Sequence, residues 1–359
     1  MGEALKLPII DLSSPDRFST ADSIRQACID YGFFYLVNHG VEEEILGRIF
    51  DESRKFFSLP LEHKMSLVRK EHRGYTPLYA ENLDPSSPSK GDSKESFYIG
   101  PLEGTHSNLN QWPSDGIFIL CEIPEVLPSW RSTMDLFYKK VLRQLKNALI
   151  LVGNQPTVTP LGQRNSGWSA KYWWIICCIR YAGSRLIRLL ALALKLDEDF
   201  FEKVGASDIP TAFLRLIHYP GELDSSGEEI YGASAHSDYG MITLLATDGV
   251  PGLQAWSAGR NSKNQGYGRT CQVSRVIQAF IVNIGDMMER WTNCLFRSTL
   301  HRVMPTGQER YSAAFFLDPN NSCVVECLES CCSESCPPRF PPIRSGDYLK
   351  ERFRLTYGS

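Results

Sequence analysis

Two pairs of polar residues, His236-Ser-Asp238 and Arg310-Tyr-Ser312, lie in segments that read as β-strands. In a strand, residues i and i+2 project from the same face. His236 and Asp238 are therefore expected to converge while Ser237 points away, and Arg310 and Ser312 to share a face while Tyr311 takes the other. A second imidazole is offered by His301, in the short apolar strand candidate running from Cys294 to Val303. Two histidines and one carboxylate form the facial triad of non-haem Fe(II), which leaves three adjacent coordination positions open. The planar fork of Arg310 matches a carboxylate bidentately, and the Ser312 hydroxyl can add a third bond. The pattern predicts a metal and an organic acid held side by side.

Punctuation and periodicity place these pairs in a larger plan. From Thr211 to Asp318 short strands alternate with turn residues, which suits an antiparallel double-stranded β-helix, or jelly roll. Ahead of it, an amphipathic helix from Asp22 to Tyr31, a strand Phe33–Val37 and a helix from about Glu42 to Phe57 make an N-terminal α/β region. The Pro-, Ser- and Gly-rich stretch from Arg73 to Gly104 reads as an irregular connection. Residues from Arg185 to Leu194 repeat with helical spacing, and Gly346 to Phe353 reads as a terminal helix. The expected class is α+β with a mainly β core: a jelly roll, an N-terminal α/β region and flanking helices. Its parts are an N-terminal region (about 1–130), a helical linker (131–205), the core (206–320) and a tail (321–359).

Further segments carry a common signature in order along the chain: Leu7-Pro-Ile-Ile-Asp11, Tyr31-Gly-Phe-Phe-Tyr-Leu-Val-Asn-His-Gly40, Phe56-Phe-Ser-Leu-Pro60, Arg215-Leu-Ile-His-Tyr-Pro220, Gly252-Leu-Gln254 and Val282-Asn-Ile-Gly-Asp286. With His236-Ser-Asp238, His301 and Arg310-Tyr-Ser312, the chain resembles the plant-type Fe(II)/2-oxoglutarate-dependent dioxygenases of the isopenicillin N synthase-like superfamily. The resemblance implies the jelly-roll fold and an oxidoreductase. It implies Fe(II) on His236, Asp238 and His301, with 2-oxoglutarate chelating the iron and reaching Arg310 and Ser312 through its distal carboxylate. Tyr219, matching the last tyrosine of the family's Asn-Tyr-Tyr-Pro pattern, is expected to bond the inner carboxylate. O2 is then the oxidant, succinate and CO2 are released, and a small organic metabolite of plant secondary metabolism is hydroxylated or desaturated. Some relatives also use ascorbate. A tail such as 321–359 is expected to fold over the substrate mouth. Two departures stand out: Ile217 replaces the first asparagine of that pattern, and Arg310 follows His301 by nine residues where many relatives have ten.

Each residue also has a plainer reading. His236 with Asp238 suits an ordinary surface pair, His301 a core histidine, Arg310 a surface salt bridge, and Tyr219 packing beside Pro220; the ordered context favours the site. His39, His63, His72, His106 and His218 have no comparable partners and read as structural or solvent-exposed. Tyr75, Tyr79, Phe97, Tyr98 and Phe316 are candidate apolar walls for a substrate.

Composition narrows the function. With 359 residues, 43% of them apolar, the chain can bury a large core. A formal charge of −3 without a long basic run favours neither nucleic acid nor an anionic membrane, so the expected partner is a small molecule and the expected state a monomer. Eleven cysteines without a visible secretory signal point to reduced thiols and a cytoplasmic location. Cys323, Cys327, Cys331, Cys332 and Cys336 lack the paired C-x2-C knuckles of common zinc sites and read as loop thiols.

Three stretches, about 116–124, 144–183 and 255–270, break the family-like sequence abruptly, as retained introns would. The last lies where relatives carry a hairpin. They leave open an alternative: a catalytically impaired or non-enzymatic metal-binding jelly roll, disabled by inserted segments.

Overall fold

A computed structural model describes residues 7–84, 91–100, 109–111, 179, 182–207, 211–221, 230–257, 269–273, 276 and 278–357. Its helices among these are α1 (Arg17–Asp30), α2 (Glu43–Phe57), α3 (Leu61–Met65), α4 (182–193), α5 (Phe200–Lys203), α6 (Asp286–Trp291) and α7 (Ser345–Tyr357). The Asp16 carboxylate caps α1 by accepting from the Ser19 amide at 3.0 Å, which starts that helix ahead of the expected Asp22. Helix α2 buries Ile45, Ile49, Phe50, Phe56 and Phe57 along one stripe, with Glu43 and Glu44 in its first turn and Arg54 and Lys55 in its last.

The strands are β1 (Ile9–Asp11), β2 (Phe33–Val37), β3 (Gly74–Thr76), β4 (Glu95–Ile99), β5 (Thr211–Tyr219), β6 (Ala233–His236), β7 (Ile242–Thr247), β8 (Leu253–Ser257), β9 (Arg269–Gln272), β10 (Phe280–Ile284), β11 (His301–Val303), β12 (Arg310–Asp318), β13 (Val324–Val325) and β14 (Ile343–Arg344). Eight form one sheet in the order β1-β2-β10-β7-β12-β5-β4-β3, and four form a second, β6-β11-β8-β9. Apolar residues of both sheets meet in one core, with Phe33, Ile217, Ile281 and Ala314 from the large sheet against Ala233, Leu253, Ala255 and Val303 from the small one. This is the expected α+β jelly roll.

Several local expectations are corrected. The segment Arg73 to Gly104 contains β3 and β4, which extend the large sheet by pairing Tyr75 with Phe97 and Phe97 with Leu216. Their polar composition hid them, because Lys94, Glu95 and Ser96 are buried through ionic and hydrogen-bonded partners rather than by apolar alternation. The segment from Cys294 to Val303 is strand only at its end. Asn293 and Cys294 take left-handed backbone angles that close α6, and β11 begins at His301. The ends of the stretch at 255–270 do form a hairpin, with Trp256 opposite Thr270 and Ser257 opposite Arg269. The atypical stretch at 116–124, and all of 144–183 except 179, 182 and 183, lie outside the described residues.

Candidate active site

Strand β6 delivers His236 and β11 delivers His301 directly opposite it. Asp238 lies two residues past His236, beyond the end of β6, so the convergence is made by a strand end and the turn after it. Ser237 contributes to the lining of the same cavity. The carboxylate still reaches both rings: Asp238 Oδ1 is 3.9 Å from His236 Nε2 and 3.8 Å from His301 Nε2. One ligand atom from each of the three residues falls within 4.8 Å of the others, the only such group of histidine, cysteine and acidic residues among those described. The tail cysteines form no comparable cluster there.

The remaining polar atoms of the triad are occupied. His236 Nδ1 donates to the Ser234 carbonyl at 2.7 Å and His301 Nδ1 to the Thr299 carbonyl at 3.1 Å. A carbonyl only accepts, so each Nδ1 carries the proton and each Nε2 keeps its lone pair for a metal. Asp238 Oδ2 accepts from Thr243 Oγ1 at 2.5 Å and Asn283 Nδ2 at 2.7 Å, which leaves Oδ1 turned inward. Burial, reinforced by the neighbouring His301, lowers the pKa of His236 to about 3 and keeps the ring neutral. Burial opposes charge on Asp238, but His301, His236 and the two hydrogen bonds outweigh it and hold the carboxyl below its usual range. Sequence reasoning missed Asn283 and Thr243. A lone asparagine in the otherwise apolar Phe280-Ile-Val-Asn-Ile284 was the signal available for the first.

Arg310 and Ser312 share the inner face of β12, as period two requires, and are 3% and 1% exposed. Arg310 Nε donates to the Val250 carbonyl at 3.2 Å, and its guanidinium lies 4.9 Å from the Tyr219 ring centre. Tyr219 stands opposite Arg310 in the β5–β12 ladder and lines the cavity. A Cβ on Gly252 would come within 2.7 Å of the Met304 carbonyl oxygen and 3.7 Å of Arg310 Cδ, so glycine lets the backbone pass beneath the arginine. Arg310 Nη1 and Ser312 Oγ are buried with no hydrogen-bond partner. Buried donors left open in this way call for an acceptor, and an incoming carboxylate supplies one.

The triad, Arg310, Ser312 and Tyr219 line one cavity of about 110 Å³. Tyr98 and Phe316 join its wall as expected, whereas Tyr75 and Phe97 lie on the opposite face under α2 and Tyr79 is 48% exposed. Helix α7 contributes Leu349, Phe353 and Thr356 at the rim. There Phe353 stacks on His72 with ring centres 4.3 Å apart, and Tyr239 bonds Thr356 through its hydroxyl at 2.6 Å. Of the other histidines, His39 is buried against Phe280, and His218 is buried between carboxylates, while His106 lies outside the described residues. No described helix is long and apolar enough to cross a membrane.

Comparisons with known proteins match this geometry. Residues 7–115 fit the family model for the N-terminal region of non-haem dioxygenases in morphine synthesis, and residues 210–319 that of the 2OG-Fe(II) oxygenase superfamily. The chain is 34% identical to kihadalactone A synthase of Citrus sinensis over 97% of its length and 91% of the relative. It is 32% identical to azadirone synthase of Melia azedarach over 98% of its length and 93% of that protein. The crystal structure of a full-length Neurospora crassa protein in complex with alpha-KG and 5-formyluracil superposes with a TM-score of 0.70 at 26% identity, covering 99% of this chain and 100% of that one. JOX2 in complex with 2OG, Fe and JA gives 0.70 at 25% identity, covering 97% and 85%. The fold, the converging triad and these relatives make the chain a member of the 2OG-Fe(II) oxygenase superfamily, an oxidoreductase dependent on Fe(II), 2-oxoglutarate and O2.

Proposed function

We propose that His236, Asp238 and His301 hold the iron, that Arg310 and Ser312 hold the distal carboxylate of 2-oxoglutarate, and that the enzyme hydroxylates or desaturates a small organic metabolite. One observation carries this reading. Every polar atom of the triad that faces away from a common point is hydrogen-bonded, while Nε2, Nε2 and Oδ1 face that point and the unpaired Arg310 Nη1 and Ser312 Oγ open into the same cavity.

The protein's own part is positioning. Ser234 and Thr299 fix the imidazole tautomers, and Asn283 and Thr243 fix the Asp238 rotamer. Arg310, held by Val250 and packed against the Tyr219 ring, sets the depth and angle of the co-substrate, and Tyr219 is the residue assigned to its inner carboxylate. When bound, iron with 2-oxoglutarate supplies O2 activation, the co-substrate leaving as succinate and CO2 and the substrate losing a hydrogen from a C–H bond. The rim made by α7 and His72 limits the access of water.

The plant relatives support a role in plant secondary metabolism, and co-crystal ligands such as 5-formyluracil and JA support a compact organic substrate. Free thiols at Cys28, Cys294 and Cys323 suit a reducing, cytoplasmic setting. Action as a monomer belongs to the same proposal. The decisive experiment is anaerobic titration with Fe(II) and then 2-oxoglutarate, followed by the visible metal-to-ligand charge-transfer band of the chelate. The band is expected in the native chain and absent in His301→Ala; folded native protein without it refutes the reading.

A further inference from the structure

Alternate residues of β12 face the cavity all along its length: Arg310, Ser312, Ala314, Phe316 and, at the far end from the clamp, Asp318. The Asp318 carboxyl lies outside the group of residues that could hold a metal and outside the proposed clamp. It is 5% exposed and accepts no hydrogen bond from any described residue. Its oxygen lies so close to the turn after Asp238 that a Cβ on Gly240 would come within 1.7 Å of Oδ1. A carboxyl that faces a cavity without a protein donor takes its hydrogen bonds from whatever enters the cavity.

The charged residues beside it are already matched. On the same cavity wall Lys94 pairs with Glu81 at 2.9 Å and with Asp92, and Arg215 pairs with Glu81 and bonds Ser96 Oγ at 3.0 Å. Two cations and two carboxylates thus neutralise one another, and Arg69 at the rim has a partner of its own. Apolar side chains of Phe213, Phe316, Leu349 and Phe353 line the chamber beside them, with the uncharged polar groups of Tyr98, Tyr239 and Thr356. Apart from Arg310 at the clamp, the cations lining this chamber are paired, and an anion placed beside Asp318 and Asp238 would meet carboxyl groups.

Building on the oxygenase reading, we infer that Asp318 is a substrate-specificity residue and that the substrate is a neutral, apolar molecule presenting a hydroxyl group to it. A hydroxyl both donates and accepts, so it pairs with the carboxyl in either protonation state. Burial raises the Asp318 pKa, and a carbonyl or a carboxylate, which only accepts, pairs with the protonated carboxyl alone.

The test loads the full chain with Mn(II) and 2-oxoglutarate and measures by calorimetry two matched pairs of probes: 3-phenylpropanol against 3-phenylpropanoate, and 2-naphthalenemethanol against 2-naphthoate. The alcohols are expected to bind about tenfold or more tightly than the acids in the native chain. Asp318→Asn should erase that bias, and Asp318→Leu should weaken the alcohols by about tenfold while leaving 2-oxoglutarate affinity unchanged. Acids binding as well as alcohols, no alcohol binding at all, or an unchanged bias in both variants would overturn the inference. Failure of the Mn(II)-loaded chain to take up 2-oxoglutarate would instead count against the oxygenase site, and the loss of alcohol affinity in Asp318→Leu, measured without co-substrate, still decides the role of Asp318.

Discussion

The two faces of strands β4, β5 and β12 carry polar clusters of opposite character. On the outer face, beneath α2, Glu95 accepts from Lys64 at 2.7 Å, Tyr75 at 2.5 Å and His218 at 2.7 Å. The other ring nitrogen of His218 lies 2.8 Å from Glu309 Oε1, and Tyr311 stacks on its ring and donates to Glu309 at 2.9 Å. None of these side chains has a buried atom left unpaired. On the inner face, Arg310 Nη1 and Ser312 Oγ have no partner and Asp318 accepts no bond from the described residues. A saturated polar network stabilises a fold, whereas an unsaturated one is shaped to receive a ligand.

Substitutions can break this contrast. His301→Ala removes a proposed ligand and is expected to abolish Mn(II) binding and turnover together, as equilibrium dialysis and oxygen consumption would show. Arg310→Met should raise the Kd for 2-oxoglutarate by roughly 100-fold while metal binding persists, because it deletes a charged donor to a carboxylate. Asn283→Ala should weaken metal binding by roughly 10- to 100-fold through a loosened Asp238, a change read by competitive metal titration.

The outer face should behave in reverse. His218→Ala is expected to cost about 1–3 kcal/mol of stability in urea unfolding by leaving Glu95 one donor short, with 2-oxoglutarate affinity unchanged. Burial raises the Glu95 pKa, but bonds from His218, Lys64 and Tyr75 outweigh it and hold the value below the ordinary 4.5. The unfolded chain then takes up the proton first, so this network stabilises the fold above about pH 4.5 and the benefit fades as pH falls through the lowered value. A shallower acid-side stability curve for Glu95→Gln would sharpen the contrast; an unchanged one would dissolve it.

The parts of this site that rest on strict alternation are legible in the sequence. Arg310, Ser312 and the outward Tyr311 follow from period two alone, and His236 and His301 from their place in or beside short strands. Asp238 belongs with them for a different reason than alternation, because a turn rather than a strand aims it. Thr243, Asn283 and Asp318 are harder, since their roles depend on which strands become neighbours across distant sequence. Strands β3 and β4 escape for a related reason. Buried Lys94 and Glu95 look like surface residues until the partners Glu81, Asp92, Lys64 and His218 are brought to them.

Strand β12 is paired along its length with β5, from Arg310 opposite Tyr219 to Asp318 opposite Thr211, and with β7 from Ser312 to Leu317. A single residue inserted within it would turn Arg310 or Asp318 to the outer face while the rest stayed put. Residues 304–309, between β11 and β12, belong to neither ladder. An inserted or deleted residue in that connection leaves every pair of both ladders in register. The distance in sequence from His301 to Arg310 is free to drift, while the spacing of Arg310, Ser312 and Asp318 is not.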